Sequence, residues 1–158
     1  AKYSDWNLMI LGEGPERESL ETLRDELGLN DRVILPGAVR TPHVALKRAD
    51  MFVSSSELEG FPMALCEAMA CGLPVVAAEY HCAVSDIIED GQNGILVPTG
   101  DSESLADTMI RLINDPRERK RLAENSVEIG VRYSVNAVMD RWEQLLKEVA
   151  LPQHQAPV

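Results

Sequence analysis

The sequence predicts a doubly wound α/β domain, in which helices cover both faces of a parallel sheet. Short apolar runs alternate with amphipathic stretches along almost the whole chain of 158 residues. The runs are apolar at consecutive positions, which is typical of strands that are buried on both faces. We expect one domain over residues 1–150 and a frayed tail over residues 151–158, which contain proline and glutamine.

Five apolar runs predict strands because each run is short and apolar at nearly every position. The first run ends at residues 12–15 (Gly-Glu-Gly-Pro), whose composition is typical of a turn. A second turn, residues 90–94 (Asp-Gly-Gln-Asn-Gly), precedes the last run. In chain order the predicted strands are residues 7–11, 32–36, 51–54, 73–78 and 95–97.

The stretches between the runs predict helices. The first has leucines at helical spacing and ends at Gly28. The second begins with Thr41 and Pro42, a cap followed by proline at the first helical position, and the third has Pro62 in its first turn. Near the carboxyl end, Pro116 and Ser134 mark the breaks between helices. The predicted helices are residues 15–28, 41–48, 61–71, 102–114, 116–131 and 134–149, with a helical turn at 84–88.

The charge balance and the lengths of the apolar runs exclude several function classes. Acidic residues outnumber basic residues by 26 to 15, which gives a formal net charge of −11. This charge repels nucleic-acid phosphates, and the densest basic stretch, residues 117–121, is interrupted by Glu118. No apolar run approaches the roughly 20 residues of a membrane-spanning helix, and the first residues lack a signal-peptide pattern. We therefore expect a cytoplasmic protein that binds no nucleic acid.

The cysteines and histidines do not predict a metal site. Cys66, Cys71 and Cys82 form no Cys-x-x-Cys pair, and the three histidines are far apart in sequence. We expect no metal ion, and free thiols in a reduced compartment. His81 lies in a loop without a partner in sequence, and we assign it no catalytic role.

Parallel sheets bind ligands beyond the carboxyl ends of their strands, so the functional site is expected in the loops that follow the strands. The strongest signal lies between the third strand and the third helix. Gly60 there lets a ligand approach the backbone closely. The free N–H groups and the positive dipole end of the following helix form a site for an anion such as a diphosphate. A turn that serves packing alone is the alternative.

Glu67 is the only charged residue in the predicted helix over 61–71. That helix is apolar on every side, so we expect it to be buried, and an unpaired buried carboxylate is costly. Glu67 therefore faces either a Lys or Arg partner or a wet cleft, where its oxygens accept hydrogen bonds from ligand hydroxyls. Glu59 lies at the entrance of the same helix. Because a phosphate would repel it, Glu59 reaches polyol hydroxyls more readily than metal or phosphate.

The segment from Glu59 to Glu67 (EGFPMALCE), followed by residues 68–77 (AMACGLPVVA), resembles the Glu–seven residues–Glu signature of retaining GT-B glycosyltransferases. It is most similar to their group 1 (family 4), which uses nucleotide-diphosphate sugars. Residues 12–15, 33–39 and 90–98 resemble other parts of that family, so the resemblance extends over nearly the whole chain. It implies a Rossmann-like domain, the donor-binding half of a GT-B fold.

The resemblance also implies roles for the matched residues. Glu59 would contact hydroxyls of the transferred sugar, as the candidate catalytic residue, and Glu67 would hold the ribose hydroxyls. Backbone N–H groups at the turn and helix start would meet the diphosphate, and a loop after the second strand would lie near the nucleobase. The expected nucleotide-sugar-binding residues are Glu67, Gly60, Phe61, Met63, Gly37 and Val39.

The resemblance further implies the reaction and its substrates. A UDP-sugar is the favoured donor, with GDP- or ADP-sugars next, and the acceptor is a glycan or a lipid-linked molecule of polysaccharide biosynthesis. The family is generally metal-independent, so we expect no cofactor. Its chemistry retains the anomeric configuration, by front-face attack through an oxocarbenium-like transition state. The complete enzyme could dock at the inner membrane face, whereas this acidic chain is not expected to do so.

The sequence departs from the family in three respects. It has no match for the N-terminal acceptor domain, nor for the first strand of the donor half, where the family carries an Arg and a Lys that grip the diphosphate. Residues 81–86 (HCAVSD) stand where the family often has Gly-Gly and then Glu. Either Asp86 replaces that Glu or the loop binds a different sugar. We therefore expect little or no sugar transfer by this chain alone.

Two other functions stay open on the sequence. One is a non-catalytic nucleotide- or protein-binding module, since one fold hosts many functions. The other is a GT-B enzyme of another kind, such as a phosphorylase, an epimerase or a sucrose-synthase-like enzyme.

The last predicted helix leaves two alternatives as well, because its apolar stripe packs either on its own domain or on a missing neighbour. That stripe consists of Val135, Val138, Met139, Trp142, Leu145, Leu146 and Val149.

Overall fold

The computed structural model describes residue 3, residues 5–80 and residues 84–150. The chain divides into two compact units, Ala1–Val44 and Ala45–Val158. The expected single domain over residues 1–150 stays a prediction. The expected tail over residues 151–158 lies outside the described residues, as do His81 and Cys82.

The N-terminal unit contains a two-stranded parallel sheet. Strands β1 (Leu8–Leu11) and β2 (Val33–Gly37) are connected by helix α1 (Arg17–Glu26). Helix α2 (Pro42–Leu46) follows β2 and includes the boundary between the two units. Leu8 pairs with Val33, and the register shifts between Met9 and Leu11. Each element lies within the predicted run or stretch, apart from Gly37 at the end of β2.

Strand β1 is exposed, which corrects the expectation that it is buried on both faces. Leu8, Met9 and Ile10 expose 44%, 48% and 36% of their surface. None of the described residues of α1 is buried. Two strands and one connecting helix are too few elements to cover both faces of a sheet, so the apolar side chains of β1 stay in contact with water.

The C-terminal unit contains a three-stranded parallel sheet in the order β3-β4-β5. Ser54 pairs with Ala77, and Ala77 pairs with Leu96. All the described strands are therefore parallel, as predicted, although they form two sheets rather than one. The elements are β3 (Phe52–Ser54), α3 (Met63–Ala70), β4 (Val75–Glu79), α4 (Val84–Ile87), β5 (Ile95–Pro98), α5 (Ser102–Asn114), α6 (Pro116–Ser126), α7 (Glu128–Arg132) and α8 (Val135–Ala150).

Strand β4 lies at the centre of this sheet and is covered on both faces. Because successive side chains of a strand point to opposite faces, Val75 and Ala77 belong to one apolar cluster and Val76 to another. The first cluster includes residues of α3, α4 and α7, and the second includes residues of α5 and α6. The prediction of helices on both faces of a parallel sheet is confirmed here.

The predicted helix over residues 116–131 is interrupted. Helix α6 ends at Ser126 and α7 begins at Glu128. Ser126 is fully buried, and its hydroxyl lies 3.2 Å from the carbonyl oxygens of both Met69 and Leu73. The same hydroxyl lies 2.8 Å from the carbonyl oxygen of Ala123, one turn earlier in α6. A serine hydroxyl that bonds a nearby carbonyl of its own helix competes with helix continuation, which accounts for the break at this position.

The apolar stripe of α8 is mostly exposed, so it does not pack into the core of its own unit as the first alternative supposed. None of the described residues of α8 is buried, and Val135 and Val149 expose 78% and 75% of their surface. Helix α8 packs against α7, which is only five residues long and therefore covers little of the stripe.

Candidate functional site

The predicted site residues lie in both units. Gly37 and Val39 belong to the N-terminal unit, whereas Glu59, Gly60, Phe61, Met63 and Glu67 belong to the C-terminal unit. In the C-terminal unit, β3 and β4 run parallel and end at the same edge of the sheet. The segment 55–62 leaves β3 at this edge and carries the predicted residues up to the start of α3.

The N-terminus of helix α3 has no side-chain cap among the described residues. Pro62 precedes its first residue, Met63. The Met63 N–H donates to the Phe61 carbonyl at 2.9 Å, and the Cys66 N–H donates to the Pro62 carbonyl at 3.1 Å. The end of the helix that carries partial positive charge is therefore not neutralised by a capping carboxylate, which leaves it able to attract an anion.

Helix α3 is buried on one side only, which corrects the expectation of a fully buried helix. Leu65, Cys66, Ala68 and Met69 are buried against the sheet. Glu67 is exposed on the opposite side. An apolar composition therefore did not mean burial on every side, because the outward side of the helix borders a groove.

That groove has a volume of about 600 Å³ and lies between α3, α7 and α8. Glu67 lines it, and the Glu67 carboxylate forms no ion pair or hydrogen bond with any described residue. Of the two alternatives weighed from the sequence, the internal partnership with Lys or Arg is absent among these residues. The groove is lined by Phe61, Met63, Cys66, Glu67, Ala70, Ile129, Gly130, Tyr133, Val138, Arg141, Trp142 and Leu145.

Phe61 lines the groove and is in aromatic contact with another lining residue. Its ring packs edge-on against Tyr133, with the ring centroids 5.3 Å apart and an interplanar angle of 66°. The Arg132 guanidinium lies 5.4 Å from the centroid of Tyr133. Sequence reasoning missed Tyr133 and Arg141 as residues near Glu67, because they belong to helices far along the chain and match no motif.

Negative charge and burial act together on the titratable groups around α3. Burial raises the pKa of the Cys66 thiol, and the neighbouring Glu67 carboxylate raises it further. Burial likewise raises the pKa of Tyr80, with further contributions from the Glu59 carboxylate and, at the alkaline pH at which tyrosine ionises, from the Cys66 thiolate. Both groups therefore stay protonated at neutral pH. Glu59 itself is half-buried.

In the N-terminal unit, Gly37 lies at the carboxyl end of β2 and its carbonyl accepts a hydrogen bond from the Gly12 N–H at 3.0 Å. A side chain at Gly37 would collide with the Glu13 carboxylate, and the φ of +82° also favours glycine. Arg17 donates to Glu13 at 2.8 Å and to the Leu35 carbonyl at 2.9 Å. Arg17 is a cation at this edge that sequence reasoning did not single out.

The described residues contain neither a metal-binding cluster nor a membrane-spanning helix. No group of three or more His, Cys, Asp or Glu side chains is placed among them to hold a metal ion. None of their helices is both long and apolar enough to cross a membrane.

Parallel strands with helices on both faces define a Rossmann-like α/β protein. A family model described as glycosyl transferases group 1 matches residues 1–128, so the chain belongs to that family. The resemblance identified from the sequence is confirmed. The identification agrees with the fold, since solved GT-B glycosyltransferases are among the structures that superimpose on this chain.

Individual relatives support the same family. An exopolysaccharide phosphotransferase of Streptomyces coelicolor is 35% identical over 148 residues, which are 93% of this chain and 16% of that protein. The alpha-D-kanosaminyltransferase of Streptomyces kanamyceticus is 33% identical over 150 residues, 93% of this chain and 39% of the relative. The crystal structure of Anabaena HepE in complex with UDP has a TM-score of 0.83 and 26% identity, and it covers 90% of this chain and 41% of HepE. The chain thus spans less than half the length of these relatives.

Proposed function

We propose that this chain is the donor-binding domain of a retaining glycosyltransferase, which transfers a sugar from a nucleotide-diphosphate sugar to a glycan or lipid-linked acceptor. One observation carries the proposal. Glu67 is the single charge of α3, and it lies exposed on a groove with no ion pair among the described residues. A carboxylate in this position is free to accept hydrogen bonds from ligand hydroxyls.

Different residues of the site are assigned to different groups of the ligand. The uncapped start of α3 attracts the diphosphate, and Gly60 leaves room for it beside the backbone. Glu67 accepts hydrogen bonds from the ribose hydroxyls and Glu59 from hydroxyls of the transferred sugar. The expected place of Gly37 and Val39 near the nucleobase stays a prediction, since both residues belong to the other unit. These dipoles and hydrogen bonds hold the donor without a metal ion.

The choice of UDP as the favoured nucleotide is supported by relatives. HepE is solved in complex with UDP and also with UDP-glucose, and TarM of Staphylococcus aureus is solved in a complex that includes UDP. We therefore propose a UDP-sugar as donor and make GDP and ADP the competing outcomes.

Isothermal titration of the chain with UDP, GDP and ADP, in buffer containing EDTA, tests donor binding. Glu67→Gln should weaken binding of the preferred nucleotide, because hydrogen bonds to a charged acceptor contribute about 1.5–3 kcal/mol each. The loss is then about tenfold or more in Kd. Negligible heats for all three nucleotides would refute the proposal, and binding that is lost in EDTA would refute its metal-independent form.

A matched variant separates this role from a general effect of charge. Glu103 is exposed in the first turn of α5 and forms no ion pair among the described residues. Glu103→Gln removes the same charge at a position away from the groove, so nucleotide affinity should not change. If Glu67→Gln alters only the unfolding temperature and leaves affinity intact, the binding-module alternative is favoured instead.

A further inference from the structure

Tyr80 directly follows strand β4 at the carboxyl edge of the sheet. It is 5% exposed, and its ring belongs to the apolar cluster that contains Leu65 and Val84. Its hydroxyl oxygen is buried and has no hydrogen-bond partner among the residues that the structure describes. A buried hydroxyl without a partner destabilises the fold, and a phenylalanine would fill the same space without that cost. The hydroxyl therefore calls for an explanation other than packing.

Glu59 is a candidate acceptor for the Tyr80 hydroxyl. The segment that carries Glu59 leaves β3 at the edge where β4 ends, and Ser54 of β3 pairs with Ala77 of β4. Glu59 is half-buried and has no ion pair or hydrogen bond with the described residues. The Glu59 charge also contributes, after burial itself, to the raised pKa of Tyr80, which agrees with this placement at a shared edge. An unpaired O–H donor and an unpaired carboxylate thus share one edge of the sheet.

We propose that Tyr80 is a positioning residue for Glu59: when a sugar nucleotide binds, the Tyr80 hydroxyl donates a hydrogen bond to the Glu59 carboxylate and holds it toward the sugar hydroxyls. This inference rests on the proposed function. Hydrogen bonds of this kind are often open in a ligand-free protein and tighten in the complex. A bond from a neutral hydroxyl to a carboxylate is short and strong, which suits it to fix a side chain on a loop.

The proposal separates two parts of the ligand. Glu59 is assigned to the transferred sugar, whereas the start of α3 and Glu67 are assigned to the nucleotide. Loss of the Tyr80 hydroxyl should therefore weaken binding of UDP-glucose and leave binding of UDP unchanged. A structural role in the core would instead weaken both ligands together, or neither.

Tyr80→Phe is the test, since it removes one oxygen and keeps the ring. By isothermal titration, the Kd for UDP-glucose should rise about tenfold, the value expected for one hydrogen bond to a charged group, and the Kd for UDP should stay within about twofold. The unfolding temperature should be equal to that of the wild type or higher. A lower unfolding temperature with an equal loss of both ligands would overturn the positioning role and leave the proposed function standing.

A double-mutant cycle with Glu59→Ala tests whether Tyr80 acts through Glu59. In the Glu59→Ala background, Tyr80→Phe should cause no further loss of UDP-glucose affinity, because the acceptor is already gone. Additive losses would overturn the proposal. If the wild-type chain binds neither UDP nor UDP-glucose, the proposed function fails in its UDP form and the inference fails with it.

Discussion

Gly60→Ala separates the stability of the fold from the binding of its ligand. A Cβ atom added at Gly60 would meet no heavy atom within 4 Å, and the backbone there does not adopt a left-handed conformation. At such a position, Gly→Ala stabilises a protein by about 0.4–1 kcal/mol, because alanine loses less chain entropy on folding. For a chain of 158 residues this raises the unfolding temperature by about 1–4 °C.

The same methyl group should weaken nucleotide binding. Gly60 precedes the uncapped start of α3, so a diphosphate held by the N–H groups there lies against the backbone that the methyl would cover. Loss of one hydrogen bond to a charged oxygen costs about 1.5–3 kcal/mol, or roughly a tenfold to hundredfold rise in Kd. The assays are isothermal titration with UDP and thermal unfolding on the same preparation.

Gly100→Ala is the matched control, for which we expect the opposite effect on unfolding temperature and no effect on UDP affinity. Its added Cβ also meets no heavy atom within 4 Å, but Gly100 has a φ of +77°, which costs an L-residue about 1–2 kcal/mol. Gly100→Ala should therefore lower the unfolding temperature and leave UDP affinity unchanged. If Gly60→Ala binds UDP as tightly as the wild type does, the diphosphate does not approach this turn and the reasoning is wrong.

Two other predictions concern the pH dependence of stability and the extent of activity. The Asp101 carboxylate accepts hydrogen bonds from the hydroxyl and the N–H of Ser104, which lower the pKa of Asp101 below its ordinary value. A depressed pKa stabilises the folded state above the ordinary pKa of about 4 and loses this effect as pH falls through the folded value. The unfolding temperatures of wild type and Asp101→Ala should thus differ at pH 7 and converge in acid; a constant gap would contradict this. Incubation with radiolabelled UDP-glucose and glycan acceptors should give little or no transfer by residues 1–158, and efficient turnover would refute the donor-domain proposal.

How well the sequence predicted burial depended on how many neighbours each strand has. The runs of β1 and β4 are both apolar at consecutive positions, and the same rule predicts both to be buried. Val75 to Ala78 of β4 are buried because helices pack on both faces of a three-stranded sheet. The side chains of β1 remain exposed because a two-stranded sheet offers no such cover. The composition of a strand indicates whether its side chains could be buried, whereas the elements that pack against the strand determine whether they are buried.

The site was predictable where one residue contrasts with its surroundings. Glu67 could be singled out because it is the only charge of an apolar helix, although the sequence left open whether it faces an ion-pair partner or a cleft. Tyr133 could not be singled out, because its contact with Phe61 joins residues that are distant in sequence. The helix break at Ser126 was missed because a serine within a helical pattern does not show whether its hydroxyl will bond a carbonyl of its own helix, as it does near Ala123.

The two sides of α3 explain how one short helix can serve both stability and binding. Leu65 and Met69 anchor its inner side in the core, so substitutions on the outer side alter the groove without removing core contacts. The Tyr80 hydroxyl is an exception, because it is a buried polar group in the core beside α3 and has no hydrogen-bond partner among the described residues. A tyrosine hydroxyl that served the core would form hydrogen bonds there, and its removal would lower the unfolding temperature. Tyr80 is expected to do the reverse, and for that reason we assign its hydroxyl to the ligand-bound state rather than to the core.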